Sequence, residues 1–375
     1  MTTYMHIGAP KTGTTFVQNV LAKNRDLLRS LGVCYPGERK DHYFAARELL
    51  APITGLEPPA EGAWARTVAE ARAWPGEAVV ISHEHFRHAD PPTIERIVAE
   101  LGPDLRVIVT ARDVARQVSS LWQESVKNGN TSDFAVMLTR LQHQLGEGSK
   151  RLGPMARTIH LANVLEPWCK VLPASSISVV TMPRGRASEL WDRFAGVIGV
   201  DPTGFDTDVP LNPGMGIGAT EFVRRLNESL EDGDLAAKDY ERLVKHRLAG
   251  RMLTQHRGDE RIVVPAAHHG WLTQWARDQV DALAEAGYGV VGDLEDLVPG
   301  PAAEGRDEAT EEQVAAAGVH AAHGLLMRWA ELEAKTTPLT PSPAGRARAL
   351  VRKLRARVRS RARVTKSAPG GQRRL

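Results

Sequence analysis

The sequence predicts an α/β fold, an open parallel sheet flanked by helices that gives way to a largely helical C-terminal region. Three observations point there. Residues 78–82 (AVVIS) and 105–111 (LRVIVTA) are continuous apolar, β-branched runs, the signature of strands buried on both faces. Segments of helical periodicity lie between and after them, which forces crossover connections and parallel pairing. A glycine-rich loop, GAPKTGTT at 8–15, follows a first short apolar run and opens a helix.

The elements follow in order. Residues 4–7 (YMHI) read as a strand running directly into the loop. The spacing of Phe16, Val17, Val20, Leu21, Leu27 and Leu28 predicts one helix over 14–30, stopped by Gly32. Helices are expected at 41–50 and 64–74, separated by a loop around 52–62, with Pro75 and Gly76 breaking the second. After the strand 78–82 come a helix at 91–101 opened by Pro92, the strand 105–111 and a helix at 113–126. A further strand is expected at 177–182, a helix at 188–198, a long loop at 206–218 and a helix at 219–230. The segment 235–335 reads as mainly helical, interrupted at 287–292. From Thr336 the composition turns to Pro, Thr and Ser, so residues 1–335 are expected to form the domain and 336–375 a tail.

Composition excludes several classes. Of 375 residues, 42% are hydrophobic and 25% charged, values of an ordinary globular chain, neither disordered nor membrane-spanning. No basic and apolar leader precedes the first strand, so a cytoplasmic protein is expected. Cys34 and Cys169 cannot form a disulfide framework and are expected to be reduced, packed thiols outside any metal-ligand pattern. Residues 338–375 hold twelve Lys and Arg and no acid, whereas 1–337 carry 36 basic against 45 acidic side chains. An acidic body with a basic appendage is not the charge layout of a nucleic-acid-binding domain, and no nucleic acid is expected. Within the tail, Ala347, Leu350, Val351, Leu354 and Val358 repeat at helical spacing. Such a segment is either a solvated tail or a basic amphipathic helix lying on an anionic membrane surface.

The loop between strand and helix has the context of an anion cradle. Small residues allow successive N–H groups to point inward, and the helix adds its positive end. Pro10, Lys11, Thr12, Gly13, Thr14 and Thr15 are the candidate ligands, Lys11 as a point charge and Thr14 and Thr15 as hydroxyl donors. The architecture is thus expected to be P-loop-like, yet the nucleoside-triphosphatase pattern GxxxxGK[ST] is not met. Gly8 and Gly13 match, but Thr14 occupies the lysine position and Lys11 sits mid-loop.

PKTGTT resembles instead the 5′-phosphosulfate loop of the sulfotransferase superfamily. The strand 105–111 ends at Arg112, and Ser120 lies eight residues on, within RDVARQVSSLWQE, which resembles the second signature of that superfamily and its bacterial members in particular. Taken residue by residue, the resemblance implies that Arg112 and Ser120, with Ser119 as fallback, hold the 3′-phosphate of 3′-phosphoadenosine 5′-phosphosulfate, with no metal. It covers residue 3 to about 230 with decreasing specificity. The implied reaction is sulfuryl transfer to an acceptor hydroxyl of a carbohydrate, glycolipid or small metabolite. A P-loop nucleotide kinase and a non-catalytic nucleotide-binding protein at the membrane surface are the alternatives.

Sulfuryl transfer needs a base and cations at the leaving oxygens. The end of strand 78–82 offers Ser82-His83-Glu84, similar to a Ser-x-Glu element of the bacterial members. Glu84 is the first candidate, His83 the second and His85 the third, with Lys11 holding charge on the leaving group. If the segment stays extended, His83 and His85 share one face and Glu84 the other. A metal cluster of His83, His85 and His88, or a structural Glu84 paired with Arg87 or Arg112, are the competing readings, and Glu124 reads as a helix-surface residue. Thr181, at the end of the strand 177–182, is implied by the resemblance as an adenine contact. Asn212 and the glycines at 214–218 are candidates to cover the nucleotide, with Arg224 or Arg225 reaching the 3′-phosphate. The Arg-Lys-Gly triplet of the cytosolic animal enzymes is absent. His42, Tyr43 and Trp64 are candidates for shaping the acceptor pocket, or else packed helix residues. The acceptor and the oligomeric state are not legible.

Overall fold

The computed structural model describes residues 1–38, 40–55, 57, 61–146, 153–210, 214–231, 233–256, 260–301 and 305–336. The basic tail and Asn212 lie outside the described residues. The chain divides into two compact units, Met1–His320 and Ala321–Leu375.

The first unit begins with β1 (Thr2–His6), α1 (Thr14–Lys23), α2 (Arg25–Ser30), β2 (Val33–Cys34), α3 (Asp41–Leu49), α4 (Ala51–Thr54) and α5 (Ala63–Ala73). It continues through β3 (Ala78–Ser82), a 3₁₀ turn at Glu84–His88, α6 (Pro91–Leu101), β4 (Leu105–Ala111) and α7 (Val114–Lys127). Then follow α8 (Phe134–Gly146), α9 (Pro154–Ile159), α10 (Leu161–Cys169), β5 (Ile177–Thr181), α11 (Ala187–Val197) and α12 (Ile217–Ser229). The last elements are α13 (Ala237–Tyr240), a π-helical run Glu241–Met252, α14 (Ala266–Glu285), β6 (Gly289–Val291), a 3₁₀ turn Leu294–Leu297 and α15 (Glu311–Thr336), of which the residues after His320 belong to the second unit. No helix among the described residues is long and apolar enough to cross a membrane.

The strands form one six-stranded sheet in the order β2-β3-β1-β4-β5-β6, every pair parallel. Apolar side chains alternate between its faces. Met5, Val79, Ile81, Val107, Val109 and Val179 pack into one core with Trp64 of α5, Ile94 of α6 and Trp168 of α10. Val80, Ile108 and Val180 pack into the other with Val17 of α1 and Trp191 and Phe194 of α11. Burial on both faces explains why β3 and β4 read as continuous apolar runs.

Two strands escape the sequence reading. β2 is two residues long, too short for any period. The interruption at 287–292 is β6, an edge strand whose Gly289 and Val290 are exposed and which therefore lacks the apolar signal of a buried strand. The expected helix over 14–30 divides at Asn24, whose side-chain amide donates to the carbonyls of Val20 and Asp206 and accepts from the Asp206 N–H, fastening the break to the loop after α11. Cys34 is buried as expected, whereas Cys169 is exposed, its sulfur 3.1 Å from the Tyr288 hydroxyl.

β1 is central, between β3 and β4, and its loop turns toward α1 on one face while β4 feeds α7. Neighbouring strands whose connections diverge leave a crevice beyond their carboxyl ends, the usual ligand position in such sheets.

Candidate functional site

The loop after β1 is shaped by three left-handed residues: Gly8 at φ 23°, Lys11 at φ 67° and Gly13 at φ 92°. Lys11 is the only non-glycine residue with positive φ among the described residues, a strained backbone of the kind that concentrates at functional sites. A Cβ on Gly8 would collide with the Thr14 hydroxyl, and one on Gly13 with Leu190 of α11. No side chain caps the start of α1, so its first-turn N–H groups remain open to an anion.

Three contacts tie the loop to β4 and α7. Arg112 Nη1 donates to the Lys11 carbonyl at 3.2 Å, Gln117 Nε2 donates to the Pro10 carbonyl at 3.1 Å, and Lys11 Nζ pairs with Glu124 at 2.9 Å. Glu124 is therefore not a plain helix-surface residue. Burial pushes its carboxyl up, but Lys11, Lys127 and Lys245 outweigh burial and hold it below the ordinary carboxylate range. The expected hydroxyl donors divide: Thr14 is buried with its hydroxyl on the Ala9 carbonyl at 3.4 Å, while Thr15 is exposed.

Beneath the loop runs a buried polar chain whose proton order can be derived. Thr12 Oγ1 donates to the Ala9 carbonyl at 2.6 Å and so accepts from Thr110 Oγ1 at 2.8 Å. Thr110 then accepts from His6 Nε2 at 3.2 Å, which leaves Nδ1 to accept from the Ser82 hydroxyl at 2.8 Å. His6 is thus the neutral Nε2–H tautomer, and burial drives its pKa down to about 3. His42 is likewise neutral, donating through Nε2 to the Pro36 carbonyl at 2.7 Å and accepting the Ser82 N–H at 3.0 Å, and burial takes its pKa to about 4. Both histidines brace the end of β3, the strand that leads to Glu84.

Beyond Ser82 the chain does not stay extended. Residues Glu84–His88 form a 3₁₀ turn, so the expected alternation of His83 and His85 against Glu84 does not apply. The His83 side chain caps this turn, Nδ1 accepting the His85 N–H at 3.2 Å. Tyr43 packs on both imidazoles, its ring centroid 5.4 Å from His83 and 5.6 Å from His85. Burial raises the Glu84 carboxyl, but His83, the backbone N–H of Glu84, His85 and Arg87 outweigh it and leave it below the ordinary range. Burial lowers His83 to about 4. At neutral pH the pair is a carboxylate beside a neutral imidazole. Among the described residues no group of His, Cys, Asp and Glu has metal-holding geometry.

A cavity of about 840 Å³ opens beside α7 and the β5–α11 connection, walled among others by Arg112, Arg116, Ser119, Ser120, Arg184 and Arg261. Its volume falls in the range of small-ligand sites. Burial lowers the Arg112 pKa, and its neighbours Arg116 and Arg261 lower it further against Asp113, the signature of like charges gathered on one wall. Arg184 is anchored by the carbonyls of Glu295 and Val298, and Asp113 caps α7 through the N–H groups of Ala115 and Arg116. The Ser120 hydroxyl donates to the Arg116 carbonyl at 2.9 Å and Ser119 to that of Ala115 at 2.9 Å.

The structure thus brings Arg112 and Ser120 together, and joins Arg112 to Lys11. Glu84, His83 and the loop side chains do not line this cavity. Thr181 is engaged elsewhere: its buried hydroxyl meets Arg193 at 2.7 Å and Asp296 at 2.9 Å under β6. Arg224 is taken up by Glu221, Glu228 and Asp133, and Arg225 by Glu221 and Glu311. Trp64 is core, its indole N–H on Glu100. Sequence reasoning missed Arg116, Arg261 and the pairing role of Glu124. Arg116 was accessible, standing four residues before Ser120 on one helix face. Arg261 lies in a segment with no local pattern. No protein-family model matches the chain, and comparison with curated proteins and with solved structures finds no match.

Proposed function

We propose that the chain is a sulfotransferase that moves a sulfuryl group from 3′-phosphoadenosine 5′-phosphosulfate to an acceptor hydroxyl of a carbohydrate, glycolipid or small metabolite. The observation that carries this reading is the cavity wall of Arg112, Arg116 and Arg261 with Ser120, joined through the Arg112–Lys11 contact to the open, strained loop of β1. Three gathered guanidinium groups call for a polyanion, and a second anion position one hydrogen bond away suits a ligand bearing phosphates at both ends of a nucleoside. Thr14 in place of the P-loop lysine disfavours a magnesium triphosphate.

In this reading the N–H groups of the loop and of α1 hold the 5′-phosphate, and Lys11 exchanges its Glu124 partner for the oxygen that leaves sulfur. Arg112, Arg116, Arg261 and Ser120 hold the 3′-phosphate. The donor supplies an activated sulfur. Glu84 takes the proton of the acceptor hydroxyl as the new O–S bond forms and the bond from sulfur to the 5′-phosphate oxygen breaks. Glu84 is favoured over His83 because the His83 Nδ1 lone pair is spent on the His85 N–H, which leaves its Nε2 protonated.

Calorimetry with adenosine 3′,5′-bisphosphate tests the binding half. The full chain should bind it, and Lys11→Ala and Arg112→Ala should each weaken binding by roughly 10- to 100-fold, the worth of a charge-assisted hydrogen bond. Unchanged affinity in both variants refutes the reading.

A further inference from the structure

The stripe of α7 that supplies Arg116 and Ser120 to the cavity wall continues past it. Arg116, Ser120, Glu124 and Lys127 stand at i, i+4, i+8 and i+11, so all four share one side of the helix. At 1.5 Å per residue, Lys127 lies roughly 10 Å beyond Ser120 along the axis. The Glu124 carboxylate bridges two cations there, Oε2 to Lys11 Nζ at 2.9 Å and Oε1 to Lys245 Nζ at 3.5 Å. Lys245 comes from the π-helical run Glu241–Met252, which packs against α7, and it also donates to Asn128 Oδ1 at 2.7 Å. Such π-helical stretches are rare and recur at functional sites. Lys127 is only 7% exposed, yet it makes no hydrogen bond or ion pair among the described residues. Its charged neighbours are Glu124, Lys11 and Lys245. Burial lowers its pKa, and the two lysines lower it further against Glu124. One carboxylate thus faces three ammonium groups, and the most buried of the three has no partner.

We infer that Lys11, Lys127 and Lys245 form a pocket for a tetrahedral oxyanion, a sulfate or phosphate group, and that Glu124 competes with this anion for the lysines. A buried ammonium without a partner is costly, and an anion with several charged oxygens supplies what one shared carboxylate does not. Oxygens radiating from one atom suit three donors that reach in from the loop, from α7 and from the π-helical run. Ammonium groups act as point charges and impose no planar fork, which suits a tetrahedral group. Where the oxyanion comes from rests on the sulfotransferase reading. In that reading the 3′-phosphate is met by the arginine wall, and the lysines adjoin the loop that takes the 5′ end of the donor. The pocket then receives either the donor's sulfonate or an acidic substituent of the acceptor.

Calorimetric titration of the full chain with sodium sulfate, against sodium chloride at matched ionic strength, tests the pocket. Lys127→Met and Lys245→Met should each bind sulfate roughly 10-fold or more weakly, as expected for losing a charge-assisted hydrogen bond. Glu124→Gln should bind it about 10-fold more tightly, because the competing charge is gone while the side chain keeps its shape. Circular dichroism confirms that the variants fold, and the opposite sign of the glutamine variant separates a bound anion from a loss of structure. A second arm compares 3′-phosphoadenosine 5′-phosphosulfate with adenosine 3′,5′-bisphosphate. If Lys127→Met loses the preference for the sulfated nucleotide while binding the bisphosphate as the parent does, the pocket takes the donor's sulfonate. If it weakens sulfate and leaves that preference intact, the pocket takes an acidic group of the acceptor. A chain that binds sulfate through these lysines and binds neither nucleotide keeps the pocket and refutes the sulfotransferase reading instead. Sulfate affinity unchanged in both lysine variants, or lowered in Glu124→Gln, overturns the inference. So does sulfate binding that only Arg261→Ala removes, which would put the anion on the cavity wall.

Discussion

Lowering the pH from 7 to 5 should cost the first unit about 4 kcal/mol of stability through His6 and His42 alone, each contributing about 2 kcal/mol. The two side chains are 0% and 2% exposed, so solvent does not screen the effect. Their native pKa values, about 3 and about 4, lie well below the roughly 6.5 of an unfolded imidazole. The unfolded chain therefore takes up protons first. Stability is fully present above about pH 6.5 and falls through the window down to the native values, below which the loss levels off. The cause is visible in the bonding: a protonated His6 would present an N–H to the Ser82 hydroxyl in place of the lone pair that now accepts it. Urea unfolding followed by tryptophan fluorescence at pH 7, 6 and 5 measures the slope. His6→Gln should be less stable at pH 7 but should lose about 2 kcal/mol less than the parent on acidification, and His42→Gln the same. A parent stability that is flat across the window, or variants with the parental slope, would refute the assigned tautomers and burial.

Other outcomes concern the site. Lys11→Ala and Lys11→Gly should both lose nucleotide affinity, yet the glycine variant should be the more stable by about 1 kcal/mol, because only glycine relaxes at φ 67°; equal melting temperatures would deny the strain. Arg261→Ala should weaken adenosine 3′,5′-bisphosphate by roughly 10- to 100-fold and flatten the dependence of binding on salt, and an unaltered isotherm would remove Arg261 from the site. Glu84→Gln should leave nucleotide binding intact while transfer of labelled sulfate falls by roughly 100-fold or more. Retained transfer in that variant would shift the base to His83 or His85.

How much of this was legible follows from how far each property depends on neighbours in the chain. β3, α6 and β4 begin and end where the sequence places them, because two-sided burial and Pro92 write their limits into consecutive residues. The loop was legible because its glycines must meet a backbone demand at fixed spacing, and Arg112 and Ser120 because a strand end and the next helix keep their separation. The turn at Glu84–His88 was not, since His83 caps it with a side chain that an extended reading would assign to a sheet face. Thr181 looked available until β6 brought Asp293 and Asp296 against it.

By itself the sequence determined a parallel α/β sheet, a glycine-rich loop after its first strand, and the acidic body with its basic extension. Those properties are local: periodicity, backbone conformation and net charge need no partner. Only the tertiary structure decided that Lys11 is held by Glu124, more than a hundred residues away, that His6 carries its proton on Nε2, and that Arg261 joins Arg112 and Arg116 on one cavity wall. A charge acquires its role from the groups that solvate it, and in this chain those groups come from distant strands brought side by side by the sheet.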